Sequence, residues 1–440
     1  MQERIRRILN NSFWKKLLKN VSIVLAGNGG STIINFIVAV LMIRTLGNTQ
    51  YGVFCIALQY MTVVDGVVNF QSWSGVIKYG SEALTYKNDK RLAAIFKNGF
   101  MIDIITAVLG GIIAICVLPI ICSILNWSEE LNLLALLFSV EIIFHLEGTS
   151  VGILRLFDMF KYTATQAIVA ALIKLALIGG YIFCGGKSLL IITALYVATD
   201  VIKHLMLVFL ALKVLHKKFG IRRVLSASLK DIDKQFLRYT LWNNVGYTVD
   251  VPVRYFDIFI ISLISVEMVA IYKTFKQILQ VLSMLIHPIS QAILPQFSEL
   301  IALKKGKEAL GKVYKLRNAI LLVGLAAALL ALLIGRPIFG LILGQEYADH
   351  LMLFEFMLVT QMITMSFVSI HPLFAALGKA KQDFIITLAT NLLYMGCAFG
   401  LVHWIGVYGL IIAIFVQGIS SIALKLHYAQ KYIGDNTIST

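Results

Sequence analysis

The chain has 440 residues, of which 59% are hydrophobic and 14% charged, with a mean hydropathy of +0.83 and a formal net charge of +16. That balance excludes an ordinary soluble domain. Hydrophobic runs of about 20 residues recur from end to end, each long enough to cross a hydrocarbon core of about 30 Å as a helix, so the chain reads as an all-α integral membrane protein.

Twelve spans are predicted, approximately 21–43, 53–79, 96–121, 131–154, 164–183, 189–212, 236–263, 269–297, 319–343, 351–377, 384–402 and 407–428. The second, eighth and tenth are long, and Pro288 and Pro372 stand inside two of them, where a proline bends or breaks a helix. Around these spans, residues 1–20 form a basic amphipathic lead, 21–215 a first lobe, 216–235 a basic linker, 236–430 a second lobe and 431–440 a tail. No signal peptide is evident, because the first apolar run is of spanning length and lacks a small-residue cleavage site.

An even number of spans puts both termini on one side, and Lys and Arg accumulate on cytoplasmic loops. With the N-terminus inside, 31 of the 39 basic residues fall in cytoplasmic segments, and three (Arg44, Lys187, Arg336) lie outside. Five more lie within helices: Lys174, Lys203, Arg254, Lys273 and Lys276. Both termini are therefore expected in the cytoplasm of a plasma membrane. The asymmetry also accounts for the net charge through anionic membrane lipids, with no nucleic-acid partner. The alternative is that some of these residues recruit a phosphate-bearing substrate from the cytoplasmic face; the best candidate is the segment from Lys213 to Arg238, which reads as a basic amphipathic connection lying on the membrane.

Charged residues inside spans are costly and mark bundle interiors or wet cavities. In the seventh span Asp250, Arg254 and Asp257 stand at i, i+4 and i+7 and share one helix face. Lys273 and Lys276 share a face of the eighth. Either the set locks two helices together, or it lines a cavity in which Arg254 and a lysine hold a pyrophosphate or an acidic sugar. In the first lobe, Lys174 reads as the most isolated cation, near the middle of the fifth span. Glu141 and His145 at i, i+4 form either a local pair or a proton-sharing site, since His titrates near neutrality. Asp65 and Asp103 are further candidates for ion coupling. Asp200, Lys203 and His204 read as cavity groups or an internal salt bridge.

Five cysteines are scattered without metal-ligand spacing, and neither a cofactor nor a metal is indicated. The stretch from Gly179 to Ser188 fails the phosphate-loop spacing because residue 181 is Tyr. Direct drive by ATP is not expected, which leaves an ion gradient or substrate drawdown.

Two internal echoes support two pseudo-symmetric six-helix lobes. An offset of 218 aligns Gly47, Gly52 and Phe54 with Ser265, Ala270 and Tyr272, and an offset of 220 aligns the turn 154–161 with 374–381.

The first of these turns, Arg44-Thr-Leu-Gly47-x-x-x-Tyr51-Gly52-x-Phe54, resembles the signature of the Wzx-type polysaccharide flippases of the multidrug/oligosaccharidyl-lipid/polysaccharide exporter superfamily. Looser matches follow in order: Gly75 to Tyr79, Leu154 to Phe160, Arg254-x-x-Asp257, Ala270 to Lys273 and Ala376 to Lys379. The resemblance implies two lobes around a central cavity, opening alternately to the two sides, and a substrate of undecaprenyl-pyrophosphate-linked oligosaccharide. It implies a transporter, not an enzyme, in surface polysaccharide (O-antigen or capsule-type) synthesis at the bacterial inner membrane, with a polysaccharide polymerase and a chain-length regulator as partners. The peptidoglycan-precursor flippases of that superfamily typically have fourteen helices and a basic residue in the first; against them, twelve spans and a first span offering only Asn28 and Asn35 make the resemblance favour surface polysaccharide. An ion-coupled exporter of cationic drugs and a membrane glycan polymerase are the alternatives.

Overall fold

In the computed structural model, which describes residues 12–70, 72–227 and 233–438, every regular element is a helix. Chain order gives α1 (Ser12–Val68), α2 (Ser72–Thr85), α3 (Asp89–Leu125), α4 (Glu129–Phe144), α5 (Glu147–Leu156), α6 (Phe160–Phe183), α7 (Leu189–Lys218) and α8 (Ile221–Ser226). It continues with α9 (Lys234–Tyr255), α10 (Asp257–Ser262), α11 (Val266–Ala302), α12 (Gly306–Ile342), α13 (Gln345–Asp349), α14 (Leu351–Ser366), α15 (Ile370–Ala376), α16 (Ala380–Ile405) and α17 (Val407–Ile438). Among the described residues, eight helices are long and apolar enough to cross a membrane, or nine when the bent pair α4–α5 counts as one span. The first of these covers two predicted spans, because α1 breaks at Gly47 (φ 76°, ψ 171°), a conformation that suits glycine. Most of the lead, residues 1–11, lies outside the described residues.

The outer faces are apolar. Ile104 and Ile112 on α3, and Leu329 and Leu333 on α12, are about half exposed or more, which is the pattern of helices solvated by lipid rather than water. Several predicted spans are interrupted. The fourth bends by 41° between α4 and α5. The tenth breaks at 367–369, and Pro372 falls in the first turn of α15, where its missing N–H costs no helical hydrogen bond.

By contact the chain divides into two compact units, 1–46 with 56–248 and 47–55 with 249–440. In the first unit, Leu92, Ile95, Phe96, Leu215, Phe219, Val224 and Phe236 form one buried cluster. The basic connection after α7 is therefore not a free surface segment: Phe219 and Val224 are in that core. Lys97 donates to the carbonyls of Leu225 and Ala227, and Arg223 pairs with Asp89 at 2.7 Å. Residues 228–232 of the connection lie outside the described residues. In the second unit, Phe297, Leu300, Val313, Leu373 and Ile433 form the corresponding core.

The internal repeat is visible in the backbone. Asp158 (φ 60°) and Gly378 (φ 69°), 220 residues apart, are both left-handed. Their N–H groups bond the equivalent carbonyls of Arg155 and Ala375, and a helix opens two residues later in each case.

Candidate functional site

The polar groups of the first unit gather where α4 stops. His145 and Leu146 leave helical geometry, and Asn69 compensates by donating to the freed His145 carbonyl (3.0 Å) and to Asp65 (3.1 Å). The break turns His145 away from its own helix. Its Nδ1 meets Asp65 at 2.7 Å and its Nε2 faces Glu147 at 3.8 Å. The expected Glu141–His145 pair is thus replaced, because His145 no longer occupies the i+4 position of an intact helix. Glu141 faces His204 Nε2 instead, at 3.5 Å, while His204 Nδ1 reaches Glu147 at 2.8 Å.

Lys174 is not isolated. Its ammonium lies 2.8 Å from Asp200 and 3.4 Å from the centre of the Tyr196 ring, and the side chain is almost fully buried. A buried ammonium requires such a partner, and α7 supplies the carboxylate one turn before Lys203. Lys203 in turn lies 3.5 Å from Glu147, and Gln166 donates to its backbone carbonyl at 2.6 Å. These groups border a cavity of about 390 Å³, whose charged lining is Arg155, Lys174 and Lys203 together with Glu147 and Asp200. Asn28, Ser31 and Asn35 of α1 add neutral donors and acceptors to its wall. Arg155 sits with its guanidinium 4.9 Å from the Trp73 ring, a stacking that leaves the edge of the fork available.

Asp103 is placed elsewhere and does not line that cavity. Fully buried, it accepts from the Ser72 hydroxyl and the Thr149 backbone N–H, both at 2.6 Å. It thereby satisfies an otherwise orphan donor in the first turn of α5. A Cβ at Gly148 would stand 2.2 Å from Ser72 Oγ, so glycine is required for the approach.

In the second unit, Asp250, Arg254 and Asp257 do not share one continuous helix face. Helix α9 ends at Tyr255, and Asp257 opens α10, where its fully buried carboxylate turns to α11. It accepts from the Tyr272 hydroxyl (2.9 Å) and its own neighbour's N–H at Ile258 (3.0 Å), and it pairs with Lys276. Lys276 also donates to the Arg254 carbonyl at 3.0 Å. Arg254 points the other way: its side chain is half exposed and pairs with Asp250 at 3.2 Å. Asp250 is held by Asn391 (3.2 Å), itself held by Gln417 (3.0 Å). Lys273 is partly buried on α11, one turn before Lys276.

Sequence reasoning missed Gln166, Tyr196, Asn391 and Gln417. Each is a polar residue inside an apolar run, the one signal by which it could have been found. Lys425 is a further case: counted among the basic residues of the C-terminal segment, it is buried, 2.6 Å from Asp383 and 3.0 Å from His371.

A family described as "Polysaccharide biosynthesis protein" matches residues 17–301. The inner membrane protein YghQ of Escherichia coli (strain K12) is 25% identical over 175 residues, 39% of this chain and 46% of YghQ, so the match spans about half of that relative. Among solved structures, the chain is similar to an inward-facing multidrug resistance MATE family transporter of the MOP superfamily. That likeness has a TM-score of 0.72 at 13% identity, covering 93% of this chain and 96% of the other. The likeness to an outward-facing transporter of the same description has a TM-score of 0.60 at 15% identity, covering 99% of each chain. At that identity the structural likeness establishes the fold and nothing finer.

Proposed function

This chain belongs to the polysaccharide biosynthesis protein family, a family of multi-pass membrane transporters of the MOP superfamily, and from that premise we propose that it flips undecaprenyl-pyrophosphate-linked oligosaccharide across the bacterial plasma membrane. The observation that carries the reading is the composition of the first-unit cavity, where Arg155, Lys174 and Lys203 outnumber Glu147 and Asp200. A cavity with a surplus of cations in an apolar body attracts an anionic group, and a guanidinium matches the paired oxygens of a phosphate. The pyrophosphate exchanges for Asp200 as the partner of Lys174, so that the ammonium is never buried alone. In the second unit, Arg254 is a half-exposed cation whose carboxylate partner Asp250 is held by Asn391. It is a candidate to receive an acidic sugar.

Alternating access driven by an ion gradient suits this arrangement, since a potential of 100 mV supplies about 2.3 kcal/mol per charge moved. The basic asymmetry of the loops favours both termini in the cytoplasm. A polysaccharide polymerase and a chain-length regulator are the proposed downstream partners. The presence of Glu147 and Asp200 in the same cavity favours one competing reading, export of a small cation.

Removal of the chain from its host strands lipid-linked oligosaccharide on the cytoplasmic leaflet and abolishes the surface polymer. Normal polymer in a strain without a second flippase, or resistance to cationic dyes conferred by the chain in a sensitised host, rejects the flippase reading.

A further inference from the structure

We infer that His145, Glu147 and His204 form a zinc site in the first unit. Three observations converge on it. First, one ligand atom from each residue lies within 4.8 Å of the others, a cluster that a single tetrahedral ion can draw together. Two imidazole nitrogens and a carboxylate oxygen are a donor set that suits zinc and not calcium or magnesium, which prefer all-oxygen shells.

Second, each histidine has a carboxylate on its far nitrogen: Asp65 lies 2.7 Å from His145 Nδ1, and Glu141 lies 3.5 Å from His204 Nε2. A carboxylate behind the imidazole fixes the tautomer and turns the opposite nitrogen, here His145 Nε2 and His204 Nδ1, toward the ion. Both of those nitrogens face Glu147.

Third, the charged groups of the cluster suit a cation. Three carboxylates, Asp65, Glu141 and Glu147, face the two imidazoles, with Lys203 3.5 Å from Glu147 Oε1 as the neighbouring ammonium, while Lys174 and Asp200 neutralise each other. Counted with the carboxylates ionised and the imidazoles neutral, the state in which they bind a metal, the group carries a net charge of −2, which one divalent ion cancels. Glu141 also keeps a buried oxygen, Oε2, that has no hydrogen-bond partner among the described residues, an acceptor for a water held by the ion. The sequence hides the site because the ligands come from the break after α4, the first turn of α5 and the middle of α7. Its effect is to tie the α4–α5 break to α7, next to the cavity.

The test uses the full chain in detergent with its affinity tag removed, stripped with chelator, incubated with Zn²⁺ and passed through gel filtration before elemental analysis. One zinc per chain is expected, together with a rise in melting temperature on adding Zn²⁺. Co²⁺ in place of zinc gives the visible absorption of a tetrahedral nitrogen–oxygen site. His145→Ala and His204→Ala abolish uptake, and His350→Ala, at a partly exposed histidine remote in sequence from the cluster, retains it. Asp65→Asn, which leaves all three ligands in place, weakens zinc binding by about tenfold or more and serves if the histidine variants fail to fold. Monodisperse wild-type protein that elutes without zinc overturns the site. So does uptake that Asp65→Asn and the histidine variants leave unchanged.

Discussion

The Thr49 hydroxyl donates to the Glu267 carboxylate at 2.7 Å, and the two residues are 218 positions apart, the offset that aligns the signature turn after the first span with its echo after the seventh. The two related turns therefore bond to each other at equivalent positions. The contact is tight: a Cβ on Gly52 would stand 2.1 Å from the Val266 carbonyl oxygen, and Asn48 meets Glu346 close by. Residues 47–55 accordingly pack with the second compact unit.

Gly52→Ala is expected to destabilise the protein by about 1–3 kcal/mol, because backbone and not a flexible side chain must give way. Gly47→Ala acts differently: there is open space around it, and its cost of about 1–2 kcal/mol comes from positive φ alone. Thermal unfolding in detergent, followed by fluorescence-detected gel filtration, separates the two: enlarging the new side chain from Ala to Ser lowers the midpoint further at position 52, where space is the limit, and changes it little at position 47, where the backbone conformation (φ 76°, ψ 171°) is glycine's alone.

The Ser265 and Thr49 hydroxyls hold the Glu267 carboxyl below its ordinary value of 4.5. A carboxyl lowered in the folded state adds stability that is fully present above that ordinary value and fades as pH falls through the lower folded one. Melting midpoints measured from pH 6 to pH 3 should fall less steeply in Thr49→Val than in wild type. Parallel curves would remove this contact from the acid response.

Asp233 behaves in the same direction on the other unit. Burial alone would raise its carboxyl, but the Phe236 N–H and the Arg91 guanidinium at 2.7 Å outweigh burial and hold it down. Arg91 also bonds Glu82 and Gln235, so Arg91→Met releases three acceptors at once. A loss of about 1–2 kcal/mol at neutral pH is expected, shrinking as pH drops through the Asp233 range. An Arg91→Met variant with wild-type stability at neutral pH would contradict it.

Lys276→Met and Arg254→Met should differ in kind. The first strands the fully buried Asp257 carboxylate and reduces the amount of folded protein, by an expected 3 kcal/mol or so. The second removes a half-exposed cation and leaves the protein at its normal level in the membrane while export fails. Lys276→Met combined with Asp257→Asn recovers folding. Full export by Arg254→Met would take Arg254 out of the transport site.

Cysteines placed at the exposed positions Asn126 and Lys304 are expected to label from opposite sides of the membrane. Labelling of both from the same side breaks the proposed topology.

The twelve apolar runs, the basic asymmetry of the loops, the two echoes and the exceptional charges were all readable along the chain, because burial in lipid imposes length, polarity and period on every segment. Asp158 and Gly378 show how far that reaches: an offset found in letters reappears as a shared left-handed turn. The pairings were not readable. Glu141 and His145 stand at i, i+4 and yet part, because the helix between them ends at Phe144. Asp250 and Arg254 pair as their spacing predicts, whereas Asp257, spaced for the same face, opens α10 and turns to Tyr272 and Lys276 on α11.

By itself, then, the amino-acid order determined that the chain is a many-helix membrane protein and which residues carry charge into its apolar segments, since those follow from local hydrophobicity and from the cost of burying an ion. Only the tertiary structure decided the partner of each charge. The helix break at 145–146 reorients side chains that an unbroken helix would align, and the neutralising groups come from residues such as Asp200 and Lys276, on helices whose approach no local spacing encodes.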